Sequence, residues 1–289
     1  MQGRAAVSGS GDVTWLGRVV LAGEGGERPV RVVTRGAPPA PGDVAVEIRD
    51  PFAAGGSFAE PLALVPGGWS GPIGGARLAP PVRPSKVLAV GRNFHAHAAE
   101  LGNEVPKEPL LFFKPPSCLV GDDADVDLPR GFERIDLESE LVLVIGERGR
   151  HIAASDAWRH IAGITLGNDV SNRDLQRRDD QWARAKGFDG FGPVGPWIRL
   201  TPAGVPFPLA HMRITGRLNG EVRQDSSLGL MIFDPAAIVA CASAVMTLEP
   251  GDLIFMGTPQ GVSALSPGDV VTIELTGEWP LARLTTRFV

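Results

Sequence analysis

Ile135-Asp136-Leu137-Glu138-Ser139-Glu140-Leu141-Val142-Leu143-Val144-Ile145-Gly146 is the stretch on which the reading of this chain turns. It reads as one β-strand. The second half is a continuous apolar run of the kind found in strands covered on both faces. The first half carries two carboxylates at i and i+2. Side chains alternate along a strand, so Glu138 and Glu140 share a face, with Cα atoms roughly 6.5–7 Å apart. Two acids entering a core strand are costly unless a positive group sits between them. A hard divalent ion is the simplest such group, because Mg²⁺ and Ca²⁺ prefer oxygen ligands. Gly163 to Val170 reads as a second buried strand with Asp169 near its end. A Glu-x-Glu strand beside a strand-borne Asp makes a three-carboxylate site. Taken alone, Glu138-Ser139-Glu140 also suits a solvated strand end, and it is Asp169 that favours the metal.

The rest of the composition is ordinary for a globular protein. The chain has 289 residues, 43% hydrophobic and 21% charged, with a formal net charge of −5. That balance gives no sign of nucleic-acid or anionic-membrane binding. Gly 37 and Pro 26 favour many turns and many strands. Cys118 and Cys241 lie in apolar surroundings and read as buried thiols. Met1 to Thr14 lacks the apolar segment of a signal peptide, and the longest apolar stretch, Ala236 to Leu248, is too short to span a bilayer. A soluble cytoplasmic protein is expected.

Two domains are expected. Residues 1–83 read as a small N-terminal β-domain of short strands between Gly/Pro turns, closed by Ala79-Pro80-Pro81-Val82-Arg83-Pro84. Trp15 and Trp69 read as its core. Residues 84–289 read as a catalytic metal-binding domain. Lys86 to Gly91 is a short buried strand, after which Asn93 is expected to cap a helix over Phe94 to Leu101 that Gly102 stops. His97 and Glu100, three apart, share a face of that helix, an arrangement in which a carboxylate orients an imidazole base. Leu110 to Pro116 is a strand ending in Lys114 and a break, and Arg177 to Lys186 is a polar helix-like run. His151 and His160 flank a short helix and read as surface or packing residues. Asn219-Gly220 signals a type I′ hairpin, Asp234-Pro235 a capped helix start, and Leu253 to Met256 a buried strand before Gly257-Thr258-Pro259. There is no β-α-β repeat.

From about residue 84 onward the chain resembles the fumarylacetoacetate hydrolase family. The matching stretches are Val90 to Glu100, Phe112 to Pro115, Glu138-Ser139-Glu140, Asn168 to Gln176, Gln181-Trp182 with Lys186 to Asp189, Asn219-Gly220-Glu221, and Gly257-Thr258-Pro259. The resemblance implies an α+β, strand-dominated mixed β-roll, one Mg²⁺ or Mn²⁺ ion per chain, chemistry on 2-oxo acids and a homodimer. It assigns Glu138, Glu140 and Asp169 as metal ligands and His97 and Glu100 as a water-activating dyad, on a segment that often closes as a lid. Lys186 faces the substrate, and Arg173, Gln176, Gly187 and Thr258 are substrate-side positions. Two departures stand out. The family's usual Tyr after the Asn is Phe94, in a chain without Tyr, and Val90-Gly91 supplies no additional acid before the dyad. The second departure suits a three-ligand branch with a small N-terminal domain.

The implied chemistry is metal-dependent. In a 2,4-dioxo acid of the acylpyruvate or fumarylpyruvate type, water activated by His97 attacks C4, the C3–C4 bond breaks, and the metal stabilises the departing enolate. In an oxo-dicarboxylate such as oxaloacetate, decarboxylation or isomerisation passes through the same enolate, with Lys186 stabilising charge in each case. A hydrolase of C–C bonds is the first expectation, and a decarboxylase or isomerase is the alternative. A non-catalytic metal-binding relative is expected to have lost His97, Glu100 or Lys186, all of which are present. A Ser-His-Asp hydrolase finds no G-x-S-x-G.

Overall fold

In a computed structural model, residues 11–23, 26–53, 63–100 and 105–289 are described. Among them strands predominate and helices are few and short. The longest helix is Pro235–Val245, and the architecture is α+β. The largest sheet runs Ser70–Pro72, Val44–Glu47, Arg28–Thr34, Val13–Leu21, Gly192–Leu200, Ile161–Asn168, Ser139–Ile145, Leu253–Phe255, Val87–Gly91, Leu110–Lys114. A second sheet runs Glu221–Ser227, Met212–Leu218, Val270–Gly277, Leu281–Phe288, Ala124–Val126, and a small third one joins Ser171–Asn172, Ile135–Leu137 and Ser263–Ala264. The N-terminal strands belong to the large sheet, because Trp15 and Leu16 pair with Arg199 and Ile198. Trp15 is fully buried, and Trp69 packs half-buried against the core.

The apolar run after Glu140 is buried because both faces of its strand are covered. Leu141, Leu143 and Ile145 enter one hydrophobic cluster, while Val142 and Val144 enter a second on the opposite face with Phe255, Ala89 and Val194. Glu140 follows the parity of Val142 and Val144, so it continues that second face beyond the end of its apolar packing. Glu138 has the same parity, but the expected single strand divides there into Ile135–Leu137 and Ser139–Ile145. The side chain of Asn168 causes the change of sheet. Its Oδ1 accepts the Glu138 N–H at 2.9 Å, and the Glu138 carbonyl accepts the Asp169 N–H at 2.9 Å. The strand end bearing Asp169 is thereby tied to the Glu-x-Glu segment.

Four further expectations change. Phe94 makes a β-bridge with Met231, so the helix starts at His95 and is described to Glu100; the expected end at Leu101 and Gly102 lies outside the described residues. Asn93 is not a helix cap. Its amide donates to the carbonyls of Met256 (2.7 Å) and Phe233 (3.0 Å) and accepts the Phe233 N–H (2.8 Å), fastening this segment to two others. The run Arg177 to Lys186 is broken into the ends of two helices, Arg173–Arg178 and Ala183–Lys186. Asp179 is extended there and holds Arg184 through both carboxylate oxygens, while Trp182 packs edge-on against Phe112 at 5.1 Å. Cys118 is buried but Cys241 only half-buried. The hairpin at Asn219-Gly220 forms with φ of 53° and 84°, and Asp234 caps its helix by accepting the Ala237 N–H.

Candidate active site

A cavity of about 320 Å³ opens where Glu138, Glu140 and Asp169 meet. His97, Arg173, Gln176, Lys186 and Thr258 also line it, with Phe112 and Trp182 forming an apolar wall. One ligand oxygen from each of the three acids lies within 4.8 Å of the others, and all three residues are buried. Oxygen ligands on opposite sides of an ion are about 4.2 Å apart for Mg²⁺ and about 5 Å for Ca²⁺, so oxygens within 4.8 Å of one another are close enough to share a single hard cation after small side-chain adjustments. The donor set is oxygen only, which selects Mg²⁺, Mn²⁺ or Ca²⁺ over softer metals.

Charge balance supports the same fit. Lys186 is 2% exposed and its Nζ bridges Glu138 Oε2 at 2.8 Å and Asp169 Oδ2 at 2.5 Å. Arg173 adds a contact of 2.5 Å to Glu138 Oε1. Burial opposes charge on Glu138, yet Lys186, Arg173 and His97 outweigh it and hold its carboxyl well below the usual range. Burial also opposes the charge of Lys186, and Asp169 with Glu138 overcomes it, so the ammonium is retained. Glu140 is different. Burial, then Asp169, then Glu138 all push its pKa well above the ordinary value, against Lys186 and one Gly257 N–H at 2.7 Å. That N–H reaches Glu140 because Gly257 has φ 89°, at a place where a Cβ would meet Asn93 Cβ at 2.7 Å. Lys186, Arg173 and the buried Lys114 lie against Glu138 and Asp169, whereas Glu140 makes no ion pair among the described residues, a deficit that a bound cation would correct.

His97 is 4% exposed, and its Nδ1 lies 3.3 Å from Glu100 Oε2. Glu100 is itself anchored by the Gly261 N–H. With Nδ1 turned to Glu100, Nε2 faces the acids, 3.9 Å from Glu138 Oε1. Glu100 stands behind the histidine and is not part of the cavity wall. Gly187, expected on the substrate side, is not among the lining residues either. It ends the helix Ala183–Lys186, where a Cβ would meet the Ala183 carbonyl at 2.4 Å. Arg173 lines the cavity, but its guanidinium is committed to Asp136 (2.8 Å), Gln176 (2.7 Å) and Glu138. The Thr258 hydroxyl donates to the Ser139 carbonyl at 3.0 Å and accepts from Gln224 Nε2 at 2.7 Å.

Several residues at the site were not singled out from the sequence. Lys114, 1% exposed, donates to the carbonyls of Lys186 (2.6 Å) and Phe191 (3.0 Å). It also lies 2.7 Å from Asp169 Oδ1, within ion-pair distance though outside hydrogen-bond angles. Its signal was a cation closing an otherwise apolar strand. Asp136 is fully buried between Arg134 and Arg173, and its signal was the same i, i+2 parity as Glu138 and Glu140. Gln224, fully buried, accepts the Ser139 N–H at 2.8 Å and donates to the Pro259 carbonyl at 2.7 Å. Nothing local distinguishes it in the sequence. No helix of the described residues is long and apolar enough to cross a membrane.

Residues 86–289 match the fumarylacetoacetate (FAA) hydrolase C-terminal family. The chain is 42% identical over 207 residues to the mitochondrial oxaloacetate tautomerase FAHD2A of Bos taurus, covering 68% of this chain and 65% of that protein. Among solved structures, 5-carboxymethyl-2-hydroxymuconate delta-isomerase from Mycobacterium smegmatis is 37% identical, with a TM-score of 0.79, covering 95% of this chain and 98% of that one. The 2-hydroxyhepta-2,4-diene-1,7-dioate isomerase from Mycobacterium marinum is 36% identical, with a TM-score of 0.80, covering 96% and 98%. The chain is therefore a member of the fumarylacetoacetate hydrolase family.

Proposed function

We propose that this protein catalyses keto–enol isomerisation of a 2-oxo dicarboxylate. The observation that carries the reading is the pairing of Lys186, inserted between Glu138 and Asp169, with a histidine base on the same cavity. Enolisation needs two things, a group that moves a proton at carbon and a positive environment for the charge that develops on the 2-oxo oxygen. The relatives compared above, whose names state an isomerase or a tautomerase activity, favour this reading over hydrolysis.

Glu138, Glu140 and Asp169 would hold Mg²⁺ or Mn²⁺, which when bound supplies Lewis-acid polarisation of the 2-oxo carbonyl. The remaining work falls to this chain's own side chains. Glu100 accepts a hydrogen bond from His97 Nδ1, so Nε2 is the basic nitrogen. Nε2 takes a proton from the carbon next to the carbonyl and returns it at the position that defines the product. The Lys186 ammonium offsets the negative charge that accumulates on oxygen. Arg173 orients Glu138, and Phe112 with Trp182 keeps water from one side. Among these, Lys186 and His97 are the proposed catalytic residues, while Arg173 and Glu100 are positioning residues.

Hydrolysis of a 2,4-dioxo acid is the second reading. It is favoured by the His97–Glu100 dyad, which suits activation of water as well as proton transfer at carbon. The test is a panel of oxaloacetate, acylpyruvates and fumarylpyruvate, each assayed with Mg²⁺, Mn²⁺ and EDTA and with products identified by NMR. Accelerated enol–keto conversion of oxaloacetate without pyruvate release supports isomerisation. Cleavage of acylpyruvates with no acceleration of tautomer interconversion would replace it with the hydrolytic reading.

A further inference from the structure

We propose that Arg134 and Arg177 seat a second carboxylate of the substrate at the outer rim of the cavity, and so make the site selective for dicarboxylates. The inference rests on the 2-oxo-acid reading of the site. Its starting point is the arrangement of charge along the wall. The lining acids are Asp136, Glu138, Glu140 and Asp169, and the lining cations are Lys186, Arg92, Arg134, Arg173 and Arg177. With histidine neutral and all four acids ionised the wall carries one net positive charge, and the divalent ion that displaces the Glu140 proton would raise this to three. A dianion balances that wall better than a monoanion.

The cations are not equivalent. Lys186 and Arg173 are buried and committed to the acids at the inner end, Lys186 to Glu138 and Asp169, Arg173 to Asp136 and Glu138. Arg134 and Arg177 stand further out, their side chains 47% and 66% exposed. Two fixed acids place them. Asp136 is fully buried and accepts Arg173 Nε on one oxygen and Arg134 Nε on the other, each at 2.8 Å. Glu138, Arg173, Asp136 and Arg134 therefore alternate in sign from the inner end to the rim. Asp174 accepts the N–H groups of Glu133 (2.5 Å) and Arg134 (3.3 Å) on one oxygen and Arg177 Nη2 (2.8 Å) on the other. One carboxylate thus fixes the backbone of Arg134 beside the guanidinium of Arg177.

Each arginine is oriented by one nitrogen and keeps others for a ligand. Among the described residues, Nη1 and Nη2 of Arg134 and Nε and Nη1 of Arg177 take no hydrogen bond. Planar N–H pairs of this kind recognise a carboxylate bidentately, which a lysine cannot reproduce. A 2-oxo dicarboxylate would then span the cavity, with its 2-oxo-acid end among Lys186 and the three acids and its far carboxylate on the rim.

The test uses two stable ligands of equal length, 2-oxoglutarate and 2-oxopentanoate, which share the 2-oxo-acid end and differ only in the far carboxylate. Isothermal titration on the Mg²⁺-loaded protein is expected to show 2-oxoglutarate binding roughly 10–100-fold more tightly. The double variant Arg134→Gln, Arg177→Gln is expected to lose most of that preference while binding 2-oxopentanoate within about threefold of the wild type. Lysine at both positions is expected to recover part of the loss. If the double variant does not fold, Arg177→Gln alone, on the more exposed side chain, is expected to halve the preference or more. Equal affinity of the wild type for the two ligands, equal loss for both in the variants, or full recovery with lysine would overturn the assignment of a bidentate arginine seat. Dicarboxylate preference without turnover of any 2-oxo dicarboxylate sinks the proposed reaction and keeps the rim seat. Turnover without preference does the reverse.

Discussion

Replacing Lys186 with methionine separates the electrostatic role of this residue from its place in the fold. Methionine has about the same length and no charge, so packing against Phe112 is largely kept; Nζ lies 5.2 Å from the centre of that ring. What disappears is the cation between Glu138 and Asp169, both buried. Removing one partner of a buried ion pair costs about 3–5 kcal/mol, because the other charges stay behind uncompensated. For a chain of 289 residues that is a fall in Tm of roughly 5–8 °C in the metal-free protein. The effect on metal should have the opposite sign. Three acids without their lysine attract a divalent ion more strongly, so the variant is expected to bind Mg²⁺ at least as tightly as the wild type. Bound ligand at 100 times its Kd adds about 2.7 kcal/mol, and the stability gap should narrow on Mg²⁺ addition by RT ln of the factor by which the variant binds the ion more tightly. Turnover should not recover, since the charge on the substrate oxygen has lost its partner, a loss of roughly 10²–10³ in kcat. Thermal unfolding with EDTA and with Mg²⁺, Mg²⁺ titration calorimetry and oxaloacetate enol–keto rates together check this. A variant with metal-free Tm unchanged, or with kcat within threefold of the wild type, refutes the reasoning.

Three other outcomes follow from the same geometry. Burial, Asp169 and Glu138 raise the Glu140 pKa above its ordinary 4.5, so in the metal-free fold this group holds its proton to higher pH than in the unfolded chain. Its contribution to stability therefore falls as pH rises above that ordinary value, and metal affinity rises with pH as the ion displaces the proton; calorimetry in buffers of different ionisation enthalpy should detect proton release, which Glu140→Gln should abolish. His97→Ala should lower turnover by roughly 10²–10⁴ with metal affinity retained, and Glu100→Gln by less, as measured by initial rates at saturating Mg²⁺. Gln224→Ala removes the buried side-chain partner of the Ser139 N–H and of the Pro259 carbonyl and should cost about 1–3 kcal/mol in denaturant unfolding.

The strand-dominated fold class and the convergence of the three acids were both legible in the sequence, for a physical reason. Period-2 alternation alone places Glu138 and Glu140 on one face, and the structure carries that face into the cavity with Asp169. Asp136 obeys the same parity and was available to the same argument. What alternation cannot express is a change of sheet within an extended segment. The division at Glu138 depends on the Asn168 side chain taking a backbone hydrogen bond, a contact between residues 30 apart. Asn93 shows a similar limit. Its local signal is that of a helix cap, and tertiary carbonyls 140 and 163 residues away claim its amide instead. Lys114 and Gln224 act through buried contacts of long range, and a lone cation or amide carries no period. The polar run after Arg177 looks helical in composition, yet the docking of Trp182 on Phe112 accompanies a break in it.

The most direct measurement of the central claim is solvent-deuterium incorporation at C3 of oxaloacetate, followed by ¹H NMR in D₂O with the Mg²⁺-loaded protein. Any reaction that passes through enolisation at this site must exchange that proton. The account predicts exchange well above the protein-free rate, abolished by EDTA and reduced by both His97→Ala and Lys186→Met. Exchange at the protein-free rate, with Mg²⁺ shown to be bound, would contradict it.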